Sequence, residues 1–133
     1  MMGKSQRDKG ASEHQIQVAI VRYLDRVLPS NIRAVAVANN PRSKIAGGLE
    51  KARGMRKGFP DLLLIGSWFK GLMEVKAEGG YLTKEQKEWR DWAERHEIPH
   101  AVVRSIDDVQ ETLAEWGIPT RDSSNGIPES EAA

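Results

Sequence analysis

A carboxylate and an ammonium group interrupt an otherwise apolar segment near the middle of the chain, Leu72-Met73-Glu74-Val75-Lys76. Side chains alternate between the two faces of a β-strand, so Glu74 and Lys76 are expected to project from the same face. A buried charge is unfavourable unless it is paired or binds an ion. The spacing therefore predicts either an ion pair or a site at which both charges take part in chemistry.

Asp61 adds a second carboxylate, at the start of another apolar run and thirteen residues before Glu74. If the two runs pair through a turn near residues 67–70, Asp61 lies near the level of Glu74–Lys76. Two carboxylates that converge from neighbouring strands suit Mg²⁺ or Mn²⁺, and the backbone carbonyl of Val75 is a further candidate ligand. Lys76 would orient and help to deprotonate a water molecule and offset developing negative charge. These are the groups that phosphodiester hydrolysis requires.

An ion pair at a sheet edge is the alternative explanation for Glu74 and Lys76, and such a pair contributes little to stability at a surface.

The chain has 133 residues and no cysteine, so zinc–thiolate sites, iron–sulfur clusters and cysteine nucleophiles are excluded. The sequence contains no P-loop, and we expect no nucleotide cofactor. It also lacks an apolar run long enough to cross a bilayer, and we expect no membrane partner.

The segment between residues 42 and 57 carries six positive charges opposed only by Glu50. The net charge of +1 hides an asymmetry, since residues 1–80 hold 14 Lys and Arg against 7 Asp and Glu, whereas residues 81–133 hold 6 against 12. The basic segment is a candidate phosphate-binding surface, and a solvated loop is the alternative. The candidate DNA-contacting residues are Asn40, Arg42, Lys44, Lys51, Arg53, Arg56 and Lys57.

Three helices are predicted from apolar periodicity and from capping residues. The first follows Ser12 and ends before Pro29. Thr83 opens the second, and Gln86 three residues later completes the signature of a capping box. Ser105 is the predicted cap of the third helix.

Short apolar or β-branched runs predict four strands, at residues 32–37, 61–65, 72–76 and 100–104. The first three can form a meander, and the helix between the third and fourth should place those two strands parallel. We therefore predict a single-domain α/β fold with a central mixed β-sheet flanked by helices, over residues 12–117. Residues 1–11 and 118–133 are predicted to be a disordered arm and a disordered tail.

Three sequence blocks, Gly58–Leu63, Met73–Lys76 and Leu82–Gln86, occur in an order that is typical of one group of nucleases. Together they resemble the PD-(D/E)XK nuclease superfamily and, more closely, its VRR-NUC branch, over roughly residues 12–117. The segment Ser105–Val109 is similar to the element that closes that domain. The resemblance implies a mixed sheet flanked by helices and metal-dependent cleavage of DNA.

The resemblance also implies roles for individual residues. Asp61 and Glu74 match the metal-binding acids of the family, and Lys76 matches its catalytic lysine. Glu13 matches a further acid that holds a water or a second ion, and a surface residue favoured by the helix dipole is the alternative. Gln86 matches a helix glutamine that is expected to contact the active site, in addition to its capping role.

The resulting hypothesis is a Mg²⁺- or Mn²⁺-dependent DNA endonuclease. Similarity to stand-alone phage members implies a homodimer that is selective for branched DNA such as four-way (Holliday) junctions, in the cytoplasm of a bacterial or phage-infected cell. A flap nuclease, or a non-specific duplex or single-strand nuclease, is the first alternative. A non-catalytic DNA-binding module of the same fold is the second, and a structural domain with ordinary ion pairs is the third.

Overall fold

The computed structural model describes residues 10–38, 48 and 51–121. The helices and strands that build the domain are α1 (Glu13–Val27), β1 (Ile32–Ala36), β2 (Leu62–Gly66), β3 (Lys70–Val75), α2 (Lys84–Arg95), β4 (His100–Val103) and α3 (Ile106–Glu115). These are the elements predicted from the sequence, in the predicted order. In the described part of the chain, no helix is both long enough and apolar enough to cross a membrane.

The four strands form one sheet in the order β1-β2-β3-β4. The first three strands are antiparallel neighbours, whereas β3 and β4 are parallel because α2 carries the chain back across the sheet. The strand β3 begins at Lys70, earlier than predicted, because a short turn lets Lys70 pair directly with Ile65. The sheet is therefore mixed, and the predicted α/β fold class is confirmed.

The core lies between the sheet and the helices α1 and α3. Apolar residues at helical spacing in α1 and α3 meet the alternate side chains of β2, β3 and β4 that point to the same face. Burial of one such side chain stabilises the fold by about 1.5–3 kcal/mol. The fully buried apolar side chains include Ile20, Leu24, Val27, Leu62, Leu64, Met73, Val75, Val103, Val109 and Leu113.

Each helix begins directly after the capping residue that the sequence indicated. The hydroxyl oxygen of Ser12 accepts a hydrogen bond from the N–H of Gln15 at 3.1 Å, and the hydroxyl oxygen of Thr83 accepts one from Gln86 at 3.1 Å. In both cases the glutamine side chain accepts in return from the N–H of the cap, which completes a capping box. Ser105 caps α3. A cap of this kind stabilises a helix by about 1 kcal/mol.

Packing continues past the predicted C-terminal boundary of the domain. Ile118 is buried and joins the core cluster. The N–H of Arg121 donates a hydrogen bond to the carbonyl oxygen of Val27 at 2.7 Å. The packed part of the chain therefore extends to residue 121, while residues 1–9 and 122–133 of the predicted arm and tail lie outside the described residues.

Candidate active site

Asp61 and Glu74 occupy facing positions where the β2–β3 ladder ends. Leu62 pairs with Met73, so the next residue on each strand brings the two acids opposite one another. Beyond this pair, the backbone N–H of Val75 donates to a side chain instead of to the backbone of β2. Its acceptor is Oδ2 of Asp61, at 2.8 Å. Like charges at directly opposite positions of a sheet destabilise it. The register predicted from the sequence thus brings the two carboxylates together at a cost to the fold.

Glu74 is buried, with 2% of its surface exposed. Its Oε2 accepts a hydrogen bond from Nε2 of Gln86 at 2.9 Å. The oxygen of the same amide, Oε1 of Gln86, accepts from the N–H of Thr83 at 2.8 Å, so the capping box fixes which end of the amide faces Glu74. The two roles predicted for Gln86, capping the helix and contacting the acids, therefore coexist in one side chain.

The pKa of Glu74 is raised from 4.5 to about 9. Burial, which disfavours the charged form, is the main cause, and the charge and a side-chain hydrogen bond of Asp61 add to it. The positive charge of Lys76 acts in the opposite direction, and Glu13 adds a smaller upward effect. In the metal-free protein Glu74 is therefore protonated at neutral pH.

Lys76 lies beside the acidic pair and is almost fully buried, with 6% of its surface exposed. Its backbone N–H donates to the carbonyl oxygen of Val103 at 3.1 Å, which continues the pairing with β4. Its Nζ lies 3.8 Å from Oε2 of Glu13, whose side chain is half exposed in the first turn of α1. The buried ammonium is thus paired across the domain with the first helix, rather than exposed at a sheet edge.

The acidic pair offers the kind of ligands that Mg²⁺ and Mn²⁺ prefer. Asp61 accepts from the N–H of Val75 and Glu74 accepts from Gln86, and the two carboxyl groups also hydrogen-bond to each other, so a bound ion would take the place of this shared proton. A dication there would stabilise the ionised form of Glu74, which burial otherwise disfavours. Among the described residues, no three acidic or histidine side chains form a ready-made metal cluster. Asp61, Glu74 and the carbonyl of Val75 are the groups that would hold the ion together with water, and their ligand roles, like that of Glu13, stay predictions.

The described end of the basic segment is attached to α2. Gly58 has φ +81°, and a Cβ at this position would lie 2.5 Å from Cβ of Glu85, so only glycine allows this close approach. The indole Nε1 of Trp89 donates to the carbonyl oxygen of Lys57 at 3.2 Å. The side chain of Lys57 is 78% exposed and lies 3.8 Å from Glu85. This attachment places the described end of the basic segment beside the helix that carries Gln86.

The remaining candidate DNA contacts divide into two groups. Lys51, Arg53 and Arg56 are exposed. The guanidinium of Arg56 lies at the limit of hydrogen-bond distance, 3.5 Å, from the carbonyl oxygens of Lys51 and Met55. The other predicted contacts lie outside the described residues: Asn40, Arg42 and Lys44.

Two residues near the site were not anticipated from the sequence. Arg104 reaches back from the end of β4, and its Nη1 donates to the carbonyl oxygen of Ala77 at 2.7 Å. Tyr81 lies in the segment that joins Lys76 to the cap of α2, and it is 86% exposed. Tyr81 could have been noticed in the sequence, because it is an aromatic residue that directly follows two glycines in a predicted loop. Nothing in the local sequence indicates the contact that Arg104 makes.

The fold and the buried acid–lysine arrangement define a nuclease-type domain, and comparisons with known proteins identify its family. The family model for the VRR-NUC domain matches residues 11–107, and the chain belongs to this family. A solved structure described as a VRR_NUC domain protein is similar in fold, with a TM-score of 0.63 and 21% identity, over 81% of this chain and 89% of the other. No curated protein matches the sequence. The family assignment implies a nuclease-type function in DNA processing.

Proposed function

We propose that the protein is a metal-dependent DNA endonuclease that cleaves phosphodiester bonds in branched DNA such as four-way junctions. The observation that carries this proposal is the pair of facing carboxylates, the partly buried Asp61 and the buried Glu74, beside the buried ammonium of Lys76. A structural ion pair requires one acid and one base. A second acid that raises the pKa of the first is unfavourable for the fold and useful for holding a cation.

Each residue of the site has a separate task in this proposal. Asp61 and Glu74 hold the ion, and Gln86 orients the carboxylate of Glu74. When bound, Mg²⁺ or Mn²⁺ supplies Lewis acidity toward the phosphate and a nucleophile at neutral pH. Lys76 orients the attacking water and offsets the negative charge that grows on the phosphate oxygens. Glu13, 3.8 Å from Nζ of Lys76, fixes the direction of the ammonium group.

The basic segment is the proposed grip on the DNA backbone. Lys51, Arg53 and Arg56 are exposed, and Lys57 is held beside α2 by the hydrogen bond from Trp89 to its carbonyl oxygen. Contacts of this kind to phosphates position the substrate without reading its sequence. We extend the same role to the basic residues of the segment that lie outside the described part of the chain.

The choice of branched DNA rests on the resemblance to stand-alone phage members of the family, and a homodimer is consistent with it. One chain supplies one acidic pair, whereas resolving a four-way junction requires two cuts in strands related by a two-fold axis. A symmetric homodimer supplies both sites with the matching symmetry. We place the protein in the cytoplasm of a bacterial or phage-infected cell. A flap, duplex or single-strand nuclease uses the same site on a different DNA geometry.

A cleavage assay tests the proposal on four-way junction, flap, duplex and single-stranded DNA of matched sequence, each with Mg²⁺, Mn²⁺ or EDTA. We expect cleavage that requires the metal and is fastest on the junction. The informative variant is Asp61→Asn, which keeps an oxygen for the N–H of Val75 and removes the charge. Its matched control is Asp108→Asn, because Oδ2 of Asp108 also accepts a backbone N–H, from Arg104 at 2.9 Å.

The outcomes separate the alternatives. Loss of cleavage in Asp61→Asn, with full activity in Asp108→Asn, supports the nuclease and its acidic site. A different ranking of the four substrates would keep the nuclease and replace the junction by the preferred geometry. Binding of DNA without cleavage under either metal would contradict catalysis and favour a DNA-binding module of the same fold.

A further inference from the structure

Tyr81 is the most exposed of the large apolar side chains in the described part of the chain. It is 86% exposed, compared with 53% for Trp68 and 41% for Trp92. Among the described residues, its hydroxyl group has no hydrogen-bond partner. An aromatic ring in this position contributes almost nothing to the core. An exposed aromatic ring of this kind is suited to contact another molecule.

The segment that carries Tyr81 is fixed at both ends. On one side, the N–H of Gly80 donates to the carbonyl oxygen of Ala77 at 3.0 Å, and Arg104 donates to the same oxygen at 2.7 Å. On the other side, the N–H of Thr83 is held by the capping glutamine of α2. The ring is therefore presented by a short, anchored turn.

The turn lies against Glu13 and Lys76, which adjoin the acidic pair. A Cβ placed on Gly80 would be 3.7 Å from Oε2 of Glu13 and 3.7 Å from Cδ of Lys76. Because consecutive Cα atoms are about 3.8 Å apart, the Cα of Tyr81 lies within about 9 Å of the Glu13 carboxylate. Both neighbours of the turn, Lys76 and the cap of α2, belong to the proposed catalytic arrangement. A phosphate at the acidic pair would therefore bring its nucleotide within reach of the tyrosine ring.

We propose that Tyr81 stacks on the free face of an unstacked nucleobase next to the scissile phosphate. This inference rests on the proposed nuclease function and names a determinant of its substrate choice. In a continuous duplex both faces of each base are covered by neighbouring pairs, whereas bases at a branch point or in a single strand have a free face. Aromatic side chains bind such free faces with little dependence on base identity. Tyr81 thus favours DNA with unstacked bases at the cleavage point over continuous duplex.

Equilibrium binding separates this role from catalysis. Dissociation constants are measured for a four-way junction, a single strand and a continuous duplex, each labelled with 2-aminopurine near the cleavage point. The proteins are the full chain carrying Lys76→Ala, with Tyr81 kept or changed to Ala or Phe, and EDTA stops the cleavage that this variant retains. Trp68→Ala is the matched control, because this exposed aromatic lies in the β2–β3 turn at the opposite end of the strands from Asp61.

We expect Tyr81→Ala to weaken binding of the junction and the single strand by about 5- to 140-fold. Its affinity for duplex should stay unchanged, and quenching of the 2-aminopurine fluorescence should disappear. Tyr81→Phe should behave like tyrosine, because stacking needs the ring and not the hydroxyl. Trp68→Ala should bind all three DNAs normally.

Three results would overturn the inference. Unchanged binding by Tyr81→Ala would remove the contact, and an equal loss on all three DNAs would replace stacking by a general contact or by an interface between two copies. A loss in Tyr81→Phe as large as in Tyr81→Ala would assign the effect to the hydroxyl group. If the unmodified protein cleaves junctions in any of these cases, the proposed function stands without this contact. If it neither binds nor cleaves DNA, both fail.

Discussion

The two ends of the β2–β3 hairpin are built for different purposes. At the turn end, the N–H of Gly66 donates to the carbonyl oxygen of Phe69 at 2.8 Å, and the ring of Phe69 packs on Trp116 with centroids 5.4 Å apart. At the acidic end, the ladder stops at facing carboxylates, Asp61 and Glu74. The turn end satisfies its backbone and packs its rings, whereas the acidic end brings together two carboxyl groups of which one, Glu74, is buried and can ionise only at a cost.

Packing and hydrogen bonding account for the residues at the turn end. Stability alone does not account for the two acids at the other end, which points to a functional role. Packing at the turn end also requires a glycine at position 71, because a Cβ on Gly71 would lie 2.8 Å from atoms of both Phe69 and Trp116. The acidic end raises the pKa of Glu74 to about 9. Strongly perturbed groups of this kind cluster at functional sites. Substitutions at the turn end should therefore change stability, and substitutions at the acidic end should change activity.

Lys76→Ala should have the largest effect. Removal of the ammonium beside the two acids should lower the cleavage rate by about 10²- to 10⁴-fold, the range for loss of a group that assists proton transfer. Lys70→Ala is the matched control, because Lys70 begins the same strand at the turn end and is exposed. Single-turnover rates measure the effect. Equal cleavage rates for the two variants would contradict the assignment of activity to the acidic end of the hairpin and of stability to the turn end.

Phe69→Ala should affect stability and not chemistry. Loss of the partly buried ring from its contact with Trp116 should reduce the free energy of unfolding by about 3 kcal/mol. Urea denaturation measures this change, and the cleavage rate per folded molecule should match that of the unmodified protein. A variant of normal stability and low activity would show that the turn end also serves the reaction.

Glu74→Gln should stabilise the metal-free protein at alkaline pH while it abolishes cleavage. Because the pKa of Glu74 is raised in the folded state, its contribution to stability is fully present below about pH 4.5 and is lost as the pH rises to about 9. The amide carries no charge, so the variant should exceed the unmodified protein by on the order of 5 kcal/mol at pH 8. Thermal unfolding in EDTA between pH 5 and pH 9 measures the difference. A difference that does not grow with pH would contradict the assigned burial of the acid.

Gln86→Glu should have the smallest of these effects. A glutamate keeps the oxygen that accepts from the N–H of Thr83 but cannot donate to Glu74 as the amide does. Cleavage should therefore fall by about 10-fold while the helix remains capped. Gln15→Glu is the matched control, since Gln15 completes the same capping box in α1. A similar fall in both variants would assign the effect to helix capping alone.

Much of the fold was predictable because its signals are local. The caps Ser12, Thr83 and Ser105 each lie beside a periodic apolar pattern, and all three helices begin directly after them. The approach of Asp61 to the segment Glu74–Lys76 also followed from the sequence, because a short hairpin turn leaves few alternative registers, and the structure places Asp61 opposite Glu74. The start of β3 was predicted late, because Gly71 resembles a turn residue although it is paired with Leu64 in the strand.

The parts that could not be predicted depend on contacts between distant elements. The hydrogen bond from Arg104 to the carbonyl oxygen of Ala77 joins β4 to the turn after β3 and leaves no mark on either local sequence. The attachment of the basic segment to α2 depends in the same way on Gly58 meeting Glu85. The pairing of Lys76 with Glu13 was not visible either, since the family resemblance assigned Glu13 to the metal and not to the lysine.

Direct measurement of metal binding tests the central claim, that Asp61 and Glu74 persist because they hold a divalent cation. Mn²⁺ is titrated into the DNA-free protein and into Asp61→Asn, Glu74→Gln and the control Asp108→Asn, and bound ion is quantified by electron paramagnetic resonance. We predict binding by the unmodified protein and by Asp108→Asn, with loss in the other two. Equal binding by all four proteins, or binding by none, would contradict the account.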